Sequence, residues 1–293
     1  MRMRVLLLEA DNLLGQAVVA QAAAEDIQLE AVERPEQGWV AEQIAALVAE
    51  SQPDLVVNLA FYHQQFQLGV EDPLELAAQQ QFGEQLAEQC AANGAALLML
   101  SSTRVFDGTK SSAYTEKDDP APVGVLGHLQ AGLEDSVRKQ CARHVILRFS
   151  WLLDSSGDGV FQQLVNELKR TSTPELAEEW RGNPTPVDDA ARIILAVIKQ
   201  LDCAAPLYGT YHYGSSETTT WIGFVQGVVQ ELLGRAELQG DIAIQPVPFE
   251  KQLLCSGQPQ NGALLGRKLL MVFGIKPRTW RSQLPALLDS LDS

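Results

Sequence analysis

The stretch Val5-Leu6-Leu7-Leu8-Glu9-Ala10-Asp11-Asn12-Leu13-Leu14-Gly15 decides the fold. Four consecutive apolar residues, Val5 to Leu8, read as a short strand covered on both faces, as in the middle of a parallel sheet. After Gly15 the run Gln-Ala-Val-Val-Ala-Gln-Ala-Ala-Ala is made of helix formers carrying apolar positions. Strand, tight turn and helix in this order open a βαβ nucleotide-binding unit. In a G-x-x-G-x-x-G turn the first glycine bends the chain, the second lets backbone reach a pyrophosphate, and the third packs helix on strand. Those places hold Glu9, Asn12 and Gly15, so only the packing glycine is present. Asn12 can take a left-handed conformation in place of glycine. Glu9 and Asp11 set two carboxylates where a helix N-terminus would attract phosphate. An ordinary βα turn with no nucleotide is the equal alternative.

Outward from this turn, strands and helices alternate. Strands are expected at Ile27–Val32, Leu55–Ala60, Ala95–Leu100 and His144–Arg148, with helices over Val40–Glu50, Asp72–Ala92 and Val123–Ala142 between them. The pattern predicts an α/β fold, a Rossmann-like doubly wound parallel sheet over residues 1–150. The Leu55 strand delivers Asn58, Ala60, Tyr62 and His63 to the edge where ligands sit in such sheets, and the Ala95 strand delivers Ser101, Ser102 and Thr103. Tyr62 and His63 are candidate ligand contacts. Arg148 is another, with a buried salt bridge as its alternative. Beyond Trp151 helices dominate, which predicts a smaller C-terminal lobe over 151–293, some of which can contribute to the first part. Trp151, Trp180, Trp221 and Trp280 read as packing residues of that lobe.

The chain has 293 residues, of which 46% are apolar and 20% charged, with a net charge of -15. That field repels phosphate polymers and anionic bilayers, so neither nucleic acid nor a membrane is the expected partner. Four well-separated cysteines without C-x-x-C spacing fit free thiols in the cytoplasm and no metal site.

Several segments, in order and nearly throughout the chain, carry a resemblance. They are Pro53 to Ala60, Leu100 to Gly108, Tyr114-Thr115-Glu116, Ile146 to Trp151, Asn183 to Ala191, Gly209 to His212 with Thr220-Trp221, and Phe273 to Lys276. The chain resembles the extended short-chain dehydrogenase/reductases of the dTDP-4-dehydrorhamnose reductase branch. The resemblance implies a Rossmann domain with a sugar-nucleotide-binding lobe. It also implies hydride transfer from NAD(P)H, using a Tyr acid, a Lys four residues on and a Ser or Thr. The Tyr place holds Leu126 and the Lys place holds Gln130; Ser102 alone remains. Leucine donates no proton, and glutamine has no charge with which to lower a phenol pKa. The expectation is therefore a non-catalytic relative without cofactor, acting as a binding, regulatory or scaffolding subunit on another protein or as a homo-oligomer. The alternatives are an NAD(P)H-dependent sugar-nucleotide reductase and a sugar-nucleotide sensor.

Overall fold

The computed structural model describes residues 3–25, 27–66, 72–155, 157, 159–203, 207–252 and 255–292. The chain begins with β1 (Val5–Leu8), α1 (Leu13–Ala24), β2 (Leu29–Val32), α2 (Ile44–Ser51), β3 (Leu55–Asn58), α3 (Tyr62–Phe66), α4 (Pro73–Ala92) and β4 (Ala96–Ser102). It continues with α5 (Val125–Gln140), β5 (His144–Phe149), β6 (Leu152–Leu153), α6 (Val160–Arg170), β7 (Glu175–Ala177), β8 (Arg181–Gly182) and β9 (Thr185–Pro186). The remainder is α7 (Val187–Cys203), β10 (Gly209–Tyr213), β11 (Thr219–Thr220), α8 (Trp221–Gly234), β12 (Gln245–Val247), α9 (Arg267–Phe273) and α10 (Trp280–Asp289).

β1 lies inside a six-stranded sheet of order β10-β5-β4-β3-β1-β2, parallel throughout. Its four residues are buried because helices cover both faces. Successive side chains of a strand point to opposite faces. Accordingly Val5, Leu7, Leu55, Val57, Leu98, Leu100, Val145 and Leu147 join one core beneath α1, α7 and α9. Leu6, Leu8, Val56, Leu97, Met99 and Ile146 join the other, beneath α2, α4 and α5.

A third core, built from Trp151, Phe161, Trp180, Trp221, Phe224 and Trp280 among others, holds the smaller lobe of α6, α8 and α10 with its two-stranded ribbons. The large layer also draws on the chain beyond residue 150. β10 pairs with β5, and α7 packs against α1. β10 reads Gly-Thr-Tyr-His-Tyr, too short and polar to show as a strand in sequence. It is held by its pairing and by burial of Tyr211 and Tyr213 against α9 and Asp189.

Among the described residues no helix is long and apolar enough to cross a membrane, and no group of His, Cys, Asp and Glu could hold a metal ion.

Candidate functional site

The sheet order reverses between β1 and β3, which makes the crevice beyond their carboxyl ends the place where such sheets take a ligand. Gly15 has the packing role read for it. A Cβ there would lie 2.5 Å from the Glu9 carbonyl oxygen and 2.7 Å from the Ala10 Cα, so only glycine lets α1 sit this close to β1. Asn12 differs from expectation. It is extended, with φ -76°, and caps α1 by accepting the Gly15 N–H at 2.8 Å, while its amide donates to the Leu59 carbonyl at 3.3 Å. The left-handed residue of the turn is Glu9, at φ 60°.

That backbone turns the Glu9 side chain inward, which corrects the expectation that it faces a phosphate. Only 3% exposed, its carboxylate accepts the Phe61 N–H and the Trp39 indole N–H, both at 2.8 Å. Phe61, also left-handed at φ 64°, follows β3, so one carboxylate joins the loops on both sides of the crevice. Trp39 and Phe61 pack against Phe82, with ring centroids 5.5 and 5.3 Å away. Burial raises the Glu9 pKa above the usual carboxylate value, and the two donated hydrogen bonds partly offset this. Asp11 stays exposed, with its carboxylate accepting the Arg34 N–H at 2.8 Å. At the end of β3, the Asn58 side chain accepts the Ala60 N–H at 3.0 Å and so fixes the loop that carries Phe61. The partnership of Glu9 with Trp39 was not legible in sequence, because the indole comes from an irregular loop thirty residues on.

Two strands further along the sheet, Ser102 ends β4 and caps a turn of 3-10 helix over Thr103–Val105. α5 presses on this turn. A Cβ at Gly127 would meet the Arg104 carbonyl oxygen at 2.2 Å. This approach brings Gln130 to Ser102, whose hydroxyl donates to the Gln130 amide oxygen at 2.6 Å. Gln130 is wholly buried, and its Nε2 has no hydrogen-bond partner. Leu126, one turn earlier, is 6% exposed and packs in the core with Leu129 and Leu133. Ser102 and the Lys-place residue are thus in contact, with a neutral amide where the resemblance implies an ammonium.

The other ligand candidates separate. Tyr62 is buried, and its hydroxyl donates to Asp154 at 3.1 Å, linking the β3 edge to the loop after β6. His63 is half-buried beside it on α3. Arg148 is not a cleft residue. It is 1% exposed, its Nε donates to Glu134 at 2.7 Å, and its ring partner is Phe106 at 5.0 Å. The buried salt bridge was the reading to keep. Beside it His212 accepts from Arg148 at 3.3 Å and donates to the Tyr114 carbonyl at 3.2 Å. Burial first, and the Arg148 charge second, push the His212 pKa down to about 3.

A narrow aromatic cleft opens between the end of β4 and the smaller lobe. Ser102, Thr103 and Arg104 form one wall, and Trp151, Trp180 and Trp221 the other. Arg104 was not singled out in sequence, although a cation two residues past Ser102 at a sheet edge was a visible signal.

A parallel sheet with a switch-point crevice and a smaller aromatic lobe above its carboxyl edge define a Rossmann-type α/β protein. The chain belongs to the family described as the RmlD substrate binding domain, whose model matches residues 3–293. It is similar to dTDP-4-dehydrorhamnose reductase of Sinorhizobium fredii, with 26% identity over 99% of this chain and 98% of that protein. The same-named protein of Escherichia coli K12 is 24% identical over 85% of this chain and 84% of its own length. Among solved structures, the dTDP-4-dehydrorhamnose reductase of Clostridium acetobutylicum superposes with a TM-score of 0.83 at 22% identity. That match covers 99% of this chain and 100% of the other. The Bacillus anthracis reductase, solved in complex with NADP, gives a TM-score of 0.81 at 20% identity over 99% and 98% of the two chains. The names of these relatives favour the reductase alternative over a non-catalytic role, and the structural likeness carries the fold.

Proposed function

We propose that this chain is a ligand-binding member of its family that does not transfer hydride, and that it serves another protein or a second copy of itself in the cytoplasm. One observation carries the reading: the side chain against the Ser102 hydroxyl is the neutral amide of Gln130, and the position one turn before it is a buried leucine. A ketone reduced at Ser102 needs a proton donor and a group that holds the donor's pKa near neutrality. Neither Leu126 nor Gln130 supplies one.

The switch-point crevice supports the same reading. A dinucleotide pyrophosphate needs open backbone N–H groups and a bend free of side chains. Here the Gly15 N–H is taken by Asn12, and the bend carries the Glu9 side chain, whose carboxylate ties the loop after β1 to Trp39 and to the Phe61 backbone after β3. The residues do not fit a nicotinamide dinucleotide, and no step is assigned to one. The cytoplasm is the compartment that keeps unpaired thiols reduced, and Cys90, Cys141, Cys203 and Cys255 are all free.

The second reading, an NAD(P)H-dependent sugar-nucleotide reductase, is favoured by the name and full-length coverage of the relatives. Mixing purified protein, NADPH and dTDP-4-dehydrorhamnose and following absorbance of the reduced cofactor separates the two. We expect no NADPH saturation and no turnover, since loss of a positioned general acid alone costs about 10²–10⁴ in rate. Turnover at an ordinary enzymatic rate, about 1 per second or more, establishes the reductase. Calorimetric titration with a dTDP-sugar addresses the sensor alternative.

A further inference from the structure

The guanidinium of Arg104 is a buried cation. The residue is 7% exposed, and Nη1 donates to the Gln65 carbonyl at 3.0 Å. Among the described residues no carboxylate forms an ion pair with it. The contrast with Arg148 is direct, because that equally buried arginine is neutralised by Glu134. Burial pushes the Arg104 pKa down to about 10, which leaves it charged at neutral pH. A buried charge is normally paired, because removing it from water costs several kcal/mol.

Arg104 lines the aromatic cleft, and two indoles behind its wall also lack partners. The Trp180 and Trp221 indole N–H groups are buried and have no acceptor. Their rings stand 4.8 Å apart, and Trp151 lies 4.9 and 5.3 Å from them. The Ser102 hydroxyl is already committed to Gln130. Gln258, whose amide both donates and accepts, and the Thr103 hydroxyl complete the polar lining, and the remaining walls, from Phe149, Leu152, Leu153 and Val160, are apolar.

We infer that this cleft binds a small ring-bearing organic monoanion, with its carboxylate on Arg104 and its flat ring against Trp151. The charge count selects a monoanion. One buried cation balances one negative charge, whereas a phosphate dianion would bring a second into an apolar cleft. Guanidinium and carboxylate match as a fork, and Trp151, the least buried of the three indoles, is the one that can meet a ring. The inference deepens the proposed binding role and rests on it for taking the cleft as a ligand site rather than a place of reduction.

The test uses the full chain and three probes at constant ionic strength: benzoate, benzamide and inorganic phosphate. Binding is read by calorimetry and by tryptophan fluorescence. Benzoate is expected to saturate with a Kd of about 1 mM, in the range of a good fragment, and benzamide and phosphate to bind about tenfold more weakly or not at all. Arg104→Met should reduce benzoate affinity to that of benzamide, and Arg104→Lys should recover part of the difference.

Thermal melting supplies a readout that a merely structural arginine would not give. Without ligand, Arg104→Met should melt no lower than the parent, because it removes an unneutralised charge. Benzoate should raise the melting temperature of the parent and not of the variant. The inference is overturned if benzoate fails to saturate by about 10 mM, if benzamide binds as well, or if Arg104→Met melts lower and keeps the benzoate preference. NADPH titrated in the same series keeps the two readings apart. NADPH binding with turnover defeats the non-catalytic reading, whereas absent benzoate binding without NADPH binding defeats only this inference.

Discussion

Replacing Glu9 by alanine and by glutamine separates a carboxylate that holds the crevice closed from one that merely borders it. Both donated hydrogen bonds end on the same oxygen, Oε2. Glutamine offers a carbonyl oxygen in that place and carries no charge, so Glu9→Gln keeps both acceptor contacts and drops the desolvation that raises the Glu9 pKa. Alanine leaves the Phe61 N–H and the Trp39 indole N–H buried without an acceptor. Each orphaned donor costs about 1–3 kcal/mol, so Glu9→Ala should be about 2–6 kcal/mol less stable than Glu9→Gln. At about 2–4 °C per kcal/mol for a large domain, the melting temperatures should differ by about 4–24 °C.

The assay is urea denaturation and thermal melting of both variants and the parent, from pH 4 to pH 8. Because the folded pKa is raised, the native state holds the Glu9 proton where the unfolded state has lost it. The parent should therefore lose stability relative to Glu9→Gln as pH rises from the usual value of 4.5 through the raised one, then run parallel to it. Equal stability of the alanine and glutamine variants, within about 0.5 kcal/mol, would falsify the account of Glu9 as the closure of the switch point.

Two further outcomes follow from named contacts. Gly15→Ala drives a Cβ into the Glu9 and Ala10 backbone and should cost about 3 kcal/mol or more or abolish soluble expression, whereas Gly234→Ala, with open space around it, should be neutral or stabilising by up to about 1 kcal/mol in urea melts. His212 stays neutral in the fold down to about pH 3 while an unfolded histidine protonates near 6.5, so stability should fall as pH drops through that window; His212→Gln should flatten the slope, and an unchanged pH profile would count against the buried neutral imidazole.

The apolar runs 5–8, 55–57 and 96–100 announce the sheet in sequence, because strands covered on both faces have no polar positions to confuse the pattern. β10 does not announce itself. Its residues alternate polar and aromatic, and its place at the edge of the large sheet is set by β5 rather than by its own composition. Leu126 and Gln130 were visible in sequence, and only the resemblance to the reductase branch gave their places a meaning. The fates of Glu9, Arg148 and Arg104 were not, since each depends on a partner or a missing partner distant in the chain: Trp39 and Phe61, Glu134, and no carboxylate among the described residues. Charge type is visible in sequence, whereas pairing is a property of the folded chain.

The late arrival of β10 also shapes how the chain is made. During synthesis, β1 to β5 can pair as soon as residue 149 has emerged, but the far side of β5, His-Val-Ile-Leu-Arg-Phe, then has no neighbour. That side is an apolar ladder of unpaired N–H and C=O groups, a template for any other extended segment. More than fifty residues, including all of α6 and α7, must leave the ribosome before Gly209–Tyr213 closes it. A nascent chain stalled in that interval would carry an open strand edge that the finished sheet covers.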